Sequence, residues 1–100
     1  MSSKNEAMIC LRDNLYFIRS HIMKVSQNEL SKMCGVSRDV LWRLENFSES
    51  SKGRDASLKT MCMLSDFFGI SIGELVGSSV RDDEHLQLKV RNKCILGGKD

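Results

Sequence analysis

The sequence predicts an all-α domain followed by a single β-strand. The 100 residues include no proline, so the strongest helix breaker is absent. Serine followed three residues later by glutamate, the pattern of a helix capping box, occurs at Ser3–Glu6, Ser26–Glu29 and Ser71–Glu74. Apolar residues follow these start signals at helical spacing, whereas apolar and polar residues alternate near the carboxyl terminus.

The first three predicted helices occupy the amino-terminal half of the chain. The second begins after Ser26 and ends at Gly35, a residue type that suits a left-handed helix end. The third spans 38–45, with Ser37 as its N-cap. The first spans roughly 6–23 and has one apolar stripe, made by Met8, Leu11, Leu15, Ile18 and Ile22.

Two more helices are predicted after a polar segment. Residues 46–57 contain few apolar side chains and several turn formers, which indicates an exposed loop. A fourth helix begins at Ser57 and ends at Gly69, and a fifth begins at Ser71. Residues 77–79, GSS, are typical of a hinge.

The tail, 78–100, is predicted to be a hinge followed by a dimerisation strand. In EHLQLKVRNKCIL the apolar residues share one parity, which indicates a half-buried strand. An unpaired strand needs backbone partners, and the same strand of a second subunit would supply them. The expected dimer interface combines this apolar row with two residues of the fifth helix: Leu86, Leu88 and Val90, with Ile72 and Leu75.

Composition narrows the classes of protein to consider. A net charge of +2 and a hydrophobic fraction of 41% suit a small globular domain and permit a nucleic-acid partner without requiring one. Nothing resembles a signal peptide, and no stretch reaches the ~20 apolar residues of a membrane span. We therefore expect a cytoplasmic protein without a membrane partner.

No feature of the sequence suggests catalysis or a metal site. The four cysteines form no CxxC pair and lie far from the two histidines, so we expect reduced, mostly buried thiols and no bound metal. No nucleophile–base set and no phosphate-binding glycine loop appears, so an enzyme is not expected. No cofactor is implied.

Two segments together resemble the lambda repressor/Cro-type (Xre) helix-turn-helix family. Residues 26–46, SQNELSKMCGVSRDVLWRLEN, have the spacing of two short helices joined by a tight glycine turn, and 57–76, SLKTMCMLSDFFGISIGELV, match the following two helices. The resemblance covers 14–76. It implies a five-helix lambda repressor-like DNA-binding domain over 1–77 and a transcription regulator, expected to be a repressor, which binds a palindromic operator as a homodimer.

The family docks its third helix in the major groove of double-stranded DNA, and the DNA-contacting positions follow from that. Arg19 and Glu45 match a structural pair that bridges helix 1 to the end of helix 3. By resemblance, Gln27 donates to a phosphate, and Asn46 lies at the DNA backbone. Lys52 and Arg54 reach phosphates. The residues that face base edges or groove walls are Ser37, Arg38, Asp39, Trp42 and Arg43.

Other interpretations of these residues remain open. Asp39 and Arg43 are four residues apart and could pair on the helix surface. Gln27 could be an ordinary solvated residue of a first helical turn. Lys52 and Arg54 lie among acidic neighbours in the loop and could serve solubility alone.

Trp42, the single tryptophan, points away from the apolar face of the third helix, which Val40, Leu41 and Leu44 form. The resemblance makes that outer side the DNA side, where an indole can pack on a thymine methyl or a deoxyribose. The alternative is that Trp42 packs onto the loop against Phe47, which stands where the family usually has glycine.

Two further departures from the family pattern concern segments that connect helices. The turn HIMKV between the first two helices is one residue longer than usual and lacks the common glycine. The loop after the third helix is also longer. An alternative function follows from the tail: antitoxins of toxin–antitoxin pairs share this fold and often append a strand that binds a protein partner.

Overall fold

A computed structural model describes residues 3–48 and 56–95 of the chain. The described residues form six helices and no β-strand, which confirms the predicted all-α class for the helical domain. None of these helices is long and apolar enough to cross a membrane. The helices are α1 Ser3–Phe17, continued by a π-helical segment Ile18–Met23, α2 Gln27–Cys34, α3 Arg38–Glu45, α4 Leu58–Phe68, α5 Ile72–Gly77 and α6 Glu84–Cys94.

Four serines start α2 to α5 where the sequence predicts. Each serine side chain accepts a hydrogen bond from a backbone N–H three residues later, which satisfies one of the free donors of a helix start. Two of these starts are complete capping boxes, in which the glutamate also accepts from the serine N–H. The capping serines are Ser26, Ser37, Ser57 and Ser71.

Three residues end their helices in the left-handed conformation. Gly35 ends α2 at a φ of 86° and Gly69 ends α4 at 77°, as predicted. The π-helical segment ends at Lys24, which has a φ of 58°. A side chain in this conformation costs roughly 1–2 kcal/mol, so Lys24 strains the turn that precedes α2.

The core surrounds α1, which packs against α3 and α5, while α6 packs against α4 and the π-helical segment. Leu11, Leu15 and Ile18 are fully buried, and they make the apolar stripe predicted for the first helix. Phe47 is also buried and lies in the same core. Its carbonyl accepts a hydrogen bond from Arg12 Nη1 at 3.1 Å.

The predicted carboxyl-terminal strand is wrong, because Glu84–Cys94 is the helix α6. Leu86 and Val90 have the same parity, but they are also four residues apart and so share one face of a helix. Both are buried, whereas Leu88, which the strand would place beside them, is 53% exposed. Asp83 starts the helix by accepting from the N–H groups of two following residues.

The dimer interface predicted from that strand is therefore also wrong in the residues that it assigned. Leu86 and Val90 are buried inside the subunit, and no strand edge at 84–94 is left to pair with a second copy. Leu75 of α5 is completely buried, so it is unavailable to a partner. Ile72 is partly buried and packs against the subunit's own core.

Asn14 fastens the segment between α5 and α6 to α1. Its Nδ2 donates to the carbonyl oxygens of Leu75 and Ser78, at 2.7 Å each. Its Oδ1 accepts from the N–H of Val80 at 2.9 Å. Because Asn14 is only 2% exposed, these hydrogen bonds replace water that its amide has lost.

Candidate nucleic-acid interface

The pair α2 and α3 forms a helix-turn-helix with a three-residue turn, Gly35–Ser37. A Cβ built on Gly35 would lie 3.1 Å from the Met63 methyl, so α4 packs closely against this left-handed turn. Val36 in the turn and Leu41 and Leu44 on α3 are buried. These contacts fix the orientation of α3, and therefore the direction of its opposite face.

The opposite face of α3 is open to solvent. Trp42 lies on it with 49% of its surface exposed, and Arg38, Asp39 and Arg43 are exposed as well. The ring thus lies outward, as the helical pattern predicts. It is not a member of the buried core that includes Phe47.

A shallow cleft of about 470 Å³ separates this face of α3 from the start of α2. Three of its residues were predicted to contact DNA from α3 or its end, and Gln27 was predicted from α2. Ser26 and Asn28 were not predicted, since their place beside α3 depends on how the two helices cross. The lining consists of Arg19, Ser26, Gln27, Asn28, Arg38, Trp42 and Asn46.

Arg19, which lines the cleft, forms a largely buried ion pair with Glu45. Arg19 donates to both carboxylate oxygens of Glu45, from Nε at 2.7 Å and from Nη2 at 2.9 Å. The side chains are 15% and 5% exposed, respectively. The hydrogen bonds to Glu45 raise the pKa of Arg19. This pair joins the π-helical segment that continues α1 to the end of α3, in agreement with its predicted structural role.

Gln27 belongs to the same network. Its Nε2 donates to Glu45 Oε1 at 3.0 Å, which uses one N–H of the amide predicted to contact a phosphate and leaves the second N–H to donate elsewhere. That orientation depends on the packing of α3 against α1, which the local sequence does not reveal. Arg19 also donates from Nη1 to the carbonyl oxygen of Val25 at 2.9 Å, which holds the strained turn before α2.

Two contacts run along the outer face of α3. Arg43 Nη2 donates to Asp39 Oδ2 at 2.6 Å, which is the surface pairing that the four-residue spacing allows. Asn46 Nδ2 donates to the carbonyl oxygen of Trp42 at 2.8 Å and so caps the end of the helix. Arg38 has no ion-pair or hydrogen-bond partner among the described residues, so its guanidinium is available to a ligand.

Three predicted DNA contacts remain, which are Ser37 at the start of α3 and Lys52 and Arg54 in the predicted loop. Ser37 Oγ accepts from the N–H of Val40 at 3.2 Å, which sets the start of α3 and leaves the hydroxyl hydrogen free to donate. Lys52 and Arg54 lie outside the described residues.

The cysteines are free thiols, and their environments differ from the prediction in one respect. Cys62 is exposed, whereas Cys10, Cys34 and Cys94 are half-buried. Burial raises the pKa of Cys10 and of Cys34, and it raises the pKa of Cys94 to about 11. Within the described part of the chain, no group of three or more histidine, cysteine or acidic side chains could hold a metal ion.

Comparison of the chain with protein-family models, with curated proteins and with solved structures found no match. The geometry of the α2–α3 surface and the chemistry of its side chains are therefore the basis for a proposal of function.

Proposed function

We propose that the protein is a sequence-specific DNA-binding regulator of transcription, a repressor, that places α3 in the major groove. The observation that carries this proposal is the composition of one exposed face. Arg38, Trp42 and Arg43 lie on a helix whose opposite face is anchored by buried leucines. An α-helix fits the major groove of B-DNA, and a rigidly supported one can present side chains to base edges.

Arg38 is the side chain best suited to read a base. It is at the first position of α3, it is exposed, and no described residue holds its guanidinium. Arginine donates two parallel hydrogen bonds to O6 and N7 of guanine. Trp42, one turn later, supplies apolar contact to a thymine methyl or a deoxyribose, and its indole N–H can donate to a phosphate.

A homodimer on a palindromic operator completes the proposal. Two copies related by a two-fold axis would present their α3 helices about 34 Å apart, one turn of DNA. The tail strand no longer provides the interface. Sedimentation of the protein with and without a selected operator tests the stoichiometry, and a 1:1 complex on a single half-site would contradict the dimer.

The antitoxin alternative depended on a tail available to a protein partner. In the structure the apolar residues Leu86 and Val90 pack inside the subunit. No observation on the described residues therefore favours the alternative over direct regulation through DNA.

Selection of bound sites from random double-stranded DNA tests the proposal. We expect the wild type to enrich a defined half-site. Arg38→Ala should bind that site more weakly by about 1–3 kcal/mol and should relax the preference at one base pair. Arg91→Ala is the matched control, because Arg91 is an exposed arginine of α6 outside the α2–α3 cleft.

The two variants lose the same charge, so Arg91→Ala shows the effect of the lower net charge alone, without the loss of a side chain from the α2–α3 cleft. An enriched site whose base preferences are identical for Arg38→Ala and the wild type would show that Arg38 contacts only phosphate. Failure of the wild type to enrich any sequence would contradict the proposed function itself.

A further inference from the structure

We infer that Asp39 and Arg43 act as one unit that selects a G·C base pair, with Arg43 donating to guanine and Asp39 holding the guanidinium in position. This inference rests on the proposed function and deepens it. It makes Arg43 a second base-reading residue, beside Arg38, and Asp39 the residue that positions Arg43 and accepts from the paired cytosine.

The first support is the direction of Asp39. At about 100° per residue, Asp39 lies roughly 160° around α3 from Leu41 and roughly 140° from Leu44. Both leucines are buried, so Asp39 points almost directly away from the core. Arg43 lies only about 40° from Asp39 on the same helix. The pair therefore occupies the middle of the outer face.

The second support is the hydrogen bond itself. Arg43 Nη2 donates to Asp39 Oδ2 at 2.6 Å, and the two side chains remain 42% and 75% exposed, respectively. A guanidinium has five N–H groups, and this contact uses one of its three nitrogens. The pairing thus restricts the orientation of Arg43 while leaving donors for the O6 and N7 acceptors of guanine.

The third support is the charge that Asp39 brings to this face. A lone carboxylate at the centre of a DNA-binding surface would be repelled by phosphates. Its partner cancels that charge locally, and the carboxylate can itself accept from the N4 amino group of cytosine. A guanine–cytosine pair offers acceptors to Arg43 and a donor to Asp39, so its edge complements both members of the unit.

An exposed ion pair of this spacing contributes little to folding. The Arg19–Glu45 pair differs in that it is largely buried and joins two helices. Asp39 and Arg43 join nothing but successive turns of α3. Their contact therefore contributes little to the stability of the fold. Its main effect is to set the direction of the Arg43 guanidinium.

Site selection with four variants tests the inference. Arg43→Ala removes the proposed reader. Asp39→Ala and Asp39→Asn remove the same charge, but asparagine keeps a carbonyl oxygen that can accept from Arg43. Asp82→Ala is the control, because Asp82 and Arg81 form another exposed pair, with 3.4 Å between Oδ1 and Nε, outside α3. Circular dichroism checks that each variant retains its helix content.

We expect wild type to prefer guanine at one half-site position by roughly 5-fold to 150-fold. Arg43→Ala and Asp39→Ala should both relax that position, Asp39→Asn should retain part of the preference, and Asp82→Ala should change nothing. Asp39→Ala and Arg43→Ala relaxing different positions would overturn the pairing. So would tighter binding of Asp39→Ala to all DNA with unchanged base preference.

The outcomes separate this inference from the proposed function. An enriched site that depends on Arg38 but is read identically by the wild type and Asp39→Ala would contradict the Asp39–Arg43 unit alone. Failure of the wild type to enrich any site would contradict both.

Discussion

Helices α3 and α6 each have a buried face and a polar face, but the polar side chains of the two helices contact different parts of the molecule. Each has two buried apolar residues and a polar face with basic side chains, which are Arg38 and Arg43 on α3 and Lys89, Arg91 and Lys93 on α6. On α3 the outer polar contacts stay within the helix, from Arg43 to Asp39 and from Asn46 to the Trp42 carbonyl. On α6 they reach other elements.

The polar side chains of α6 fasten it to the rest of the subunit. Lys89 Nζ lies 3.1 Å from Glu74 Oε2 of α5, and Lys93 Nζ donates to the Asp66 carbonyl at 2.7 Å, near the end of α4. Gln87 Nε2 donates to the carbonyl of Val80 at 3.0 Å. A polar helical face can therefore serve assembly of the fold or remain free for a ligand, depending on what lies opposite.

This difference between the polar faces of α3 and α6 leads to a general expectation for mutations. Substitutions on the outer face of α3 should change binding and leave stability nearly unchanged. Substitutions that release α6 or the segment before it should lower stability, and they should affect binding only through folding.

The largest effect is expected for Asn14→Ala, which releases the segment that leads into α6. In this variant the Val80 N–H loses its partner, and the carbonyls of Leu75 and Ser78 keep only the weak thiol donor of Cys10, at 3.9 Å and 3.4 Å. Each buried group without a partner costs about 1–3 kcal/mol, so we expect a loss of roughly 3–5 kcal/mol in the free energy of unfolding. Urea denaturation measures it.

Asn92→Ala is the matched control, because Asn92 is an exposed asparagine of α6. It should change the free energy of unfolding by less than about 0.5 kcal/mol. Equal stability of the two variants would mean that the buried amide of Asn14 does not hold this segment.

The next effect distinguishes a helical α6 from a strand. Leu86→Ala removes a buried side chain and should cost about 2–4 kcal/mol of stability. Leu88→Ala should cost less than about 0.5 kcal/mol, since Leu88 is half exposed. A strand would bury both leucines on one face and make the two losses similar, so thermal unfolding of the two variants decides between the structures.

A smaller effect, on binding alone, is expected for Trp42→Ala. The exposed ring adds little to the core, so the melting temperature should stay nearly unchanged. Affinity for the selected site should fall by about 1–2 kcal/mol, a typical loss for an aromatic anchor at an interface. Fluorescence anisotropy with labelled DNA measures the affinity. A large drop in melting temperature with unchanged affinity would assign Trp42 to the fold.

Local signals were sufficient to predict α2 to α5. Capping serines and terminal glycines act within one helical turn, so Ser26, Ser37 and Gly35 could be interpreted without any tertiary structure. The outward direction of Trp42 followed from the same periodicity. The assignment of DNA as its ligand remains a proposal.

The strand prediction failed on an ambiguity of the local pattern, whereas other features were missed because they depend on tertiary contacts. Leu86, Val90 and Cys94 share a parity because four is an even number, so an i, i+4 series also fits an alternating pattern. The capping role of Asp83 was the local sign of a helix. The bond from Gln27 to Glu45 and the contacts of Asn14 join residues distant in sequence, and no local pattern indicates them.

The smallest effect concerns the difference between the two complete capping boxes, at α2 and at α5. Only the one at α5 also receives a lysine from α6. The backbone N–H of Ser71 and then Lys89 lower the pKa of Glu74 below its usual value of 4.5. A lowered folded-state pKa stabilises the protein above the unfolded pKa, and this contribution is lost as the pH falls through the folded pKa.

We therefore expect the wild type to be more stable than Glu74→Gln at neutral pH, with the difference vanishing as the pH falls below about 4.5 and through the folded pKa. Glutamine keeps an oxygen that can accept from Ser71, so the helix start should survive. Lys89→Met should shrink the pH-dependent difference without removing it, because the Ser71 N–H is the larger cause and remains in place. Melting temperatures of the three proteins across pH 3–7 measure this. If Lys89→Met abolished the difference, the lysine from α6, rather than the local cap, would set the ionisation of Glu74, and α6 would control even the start of α5.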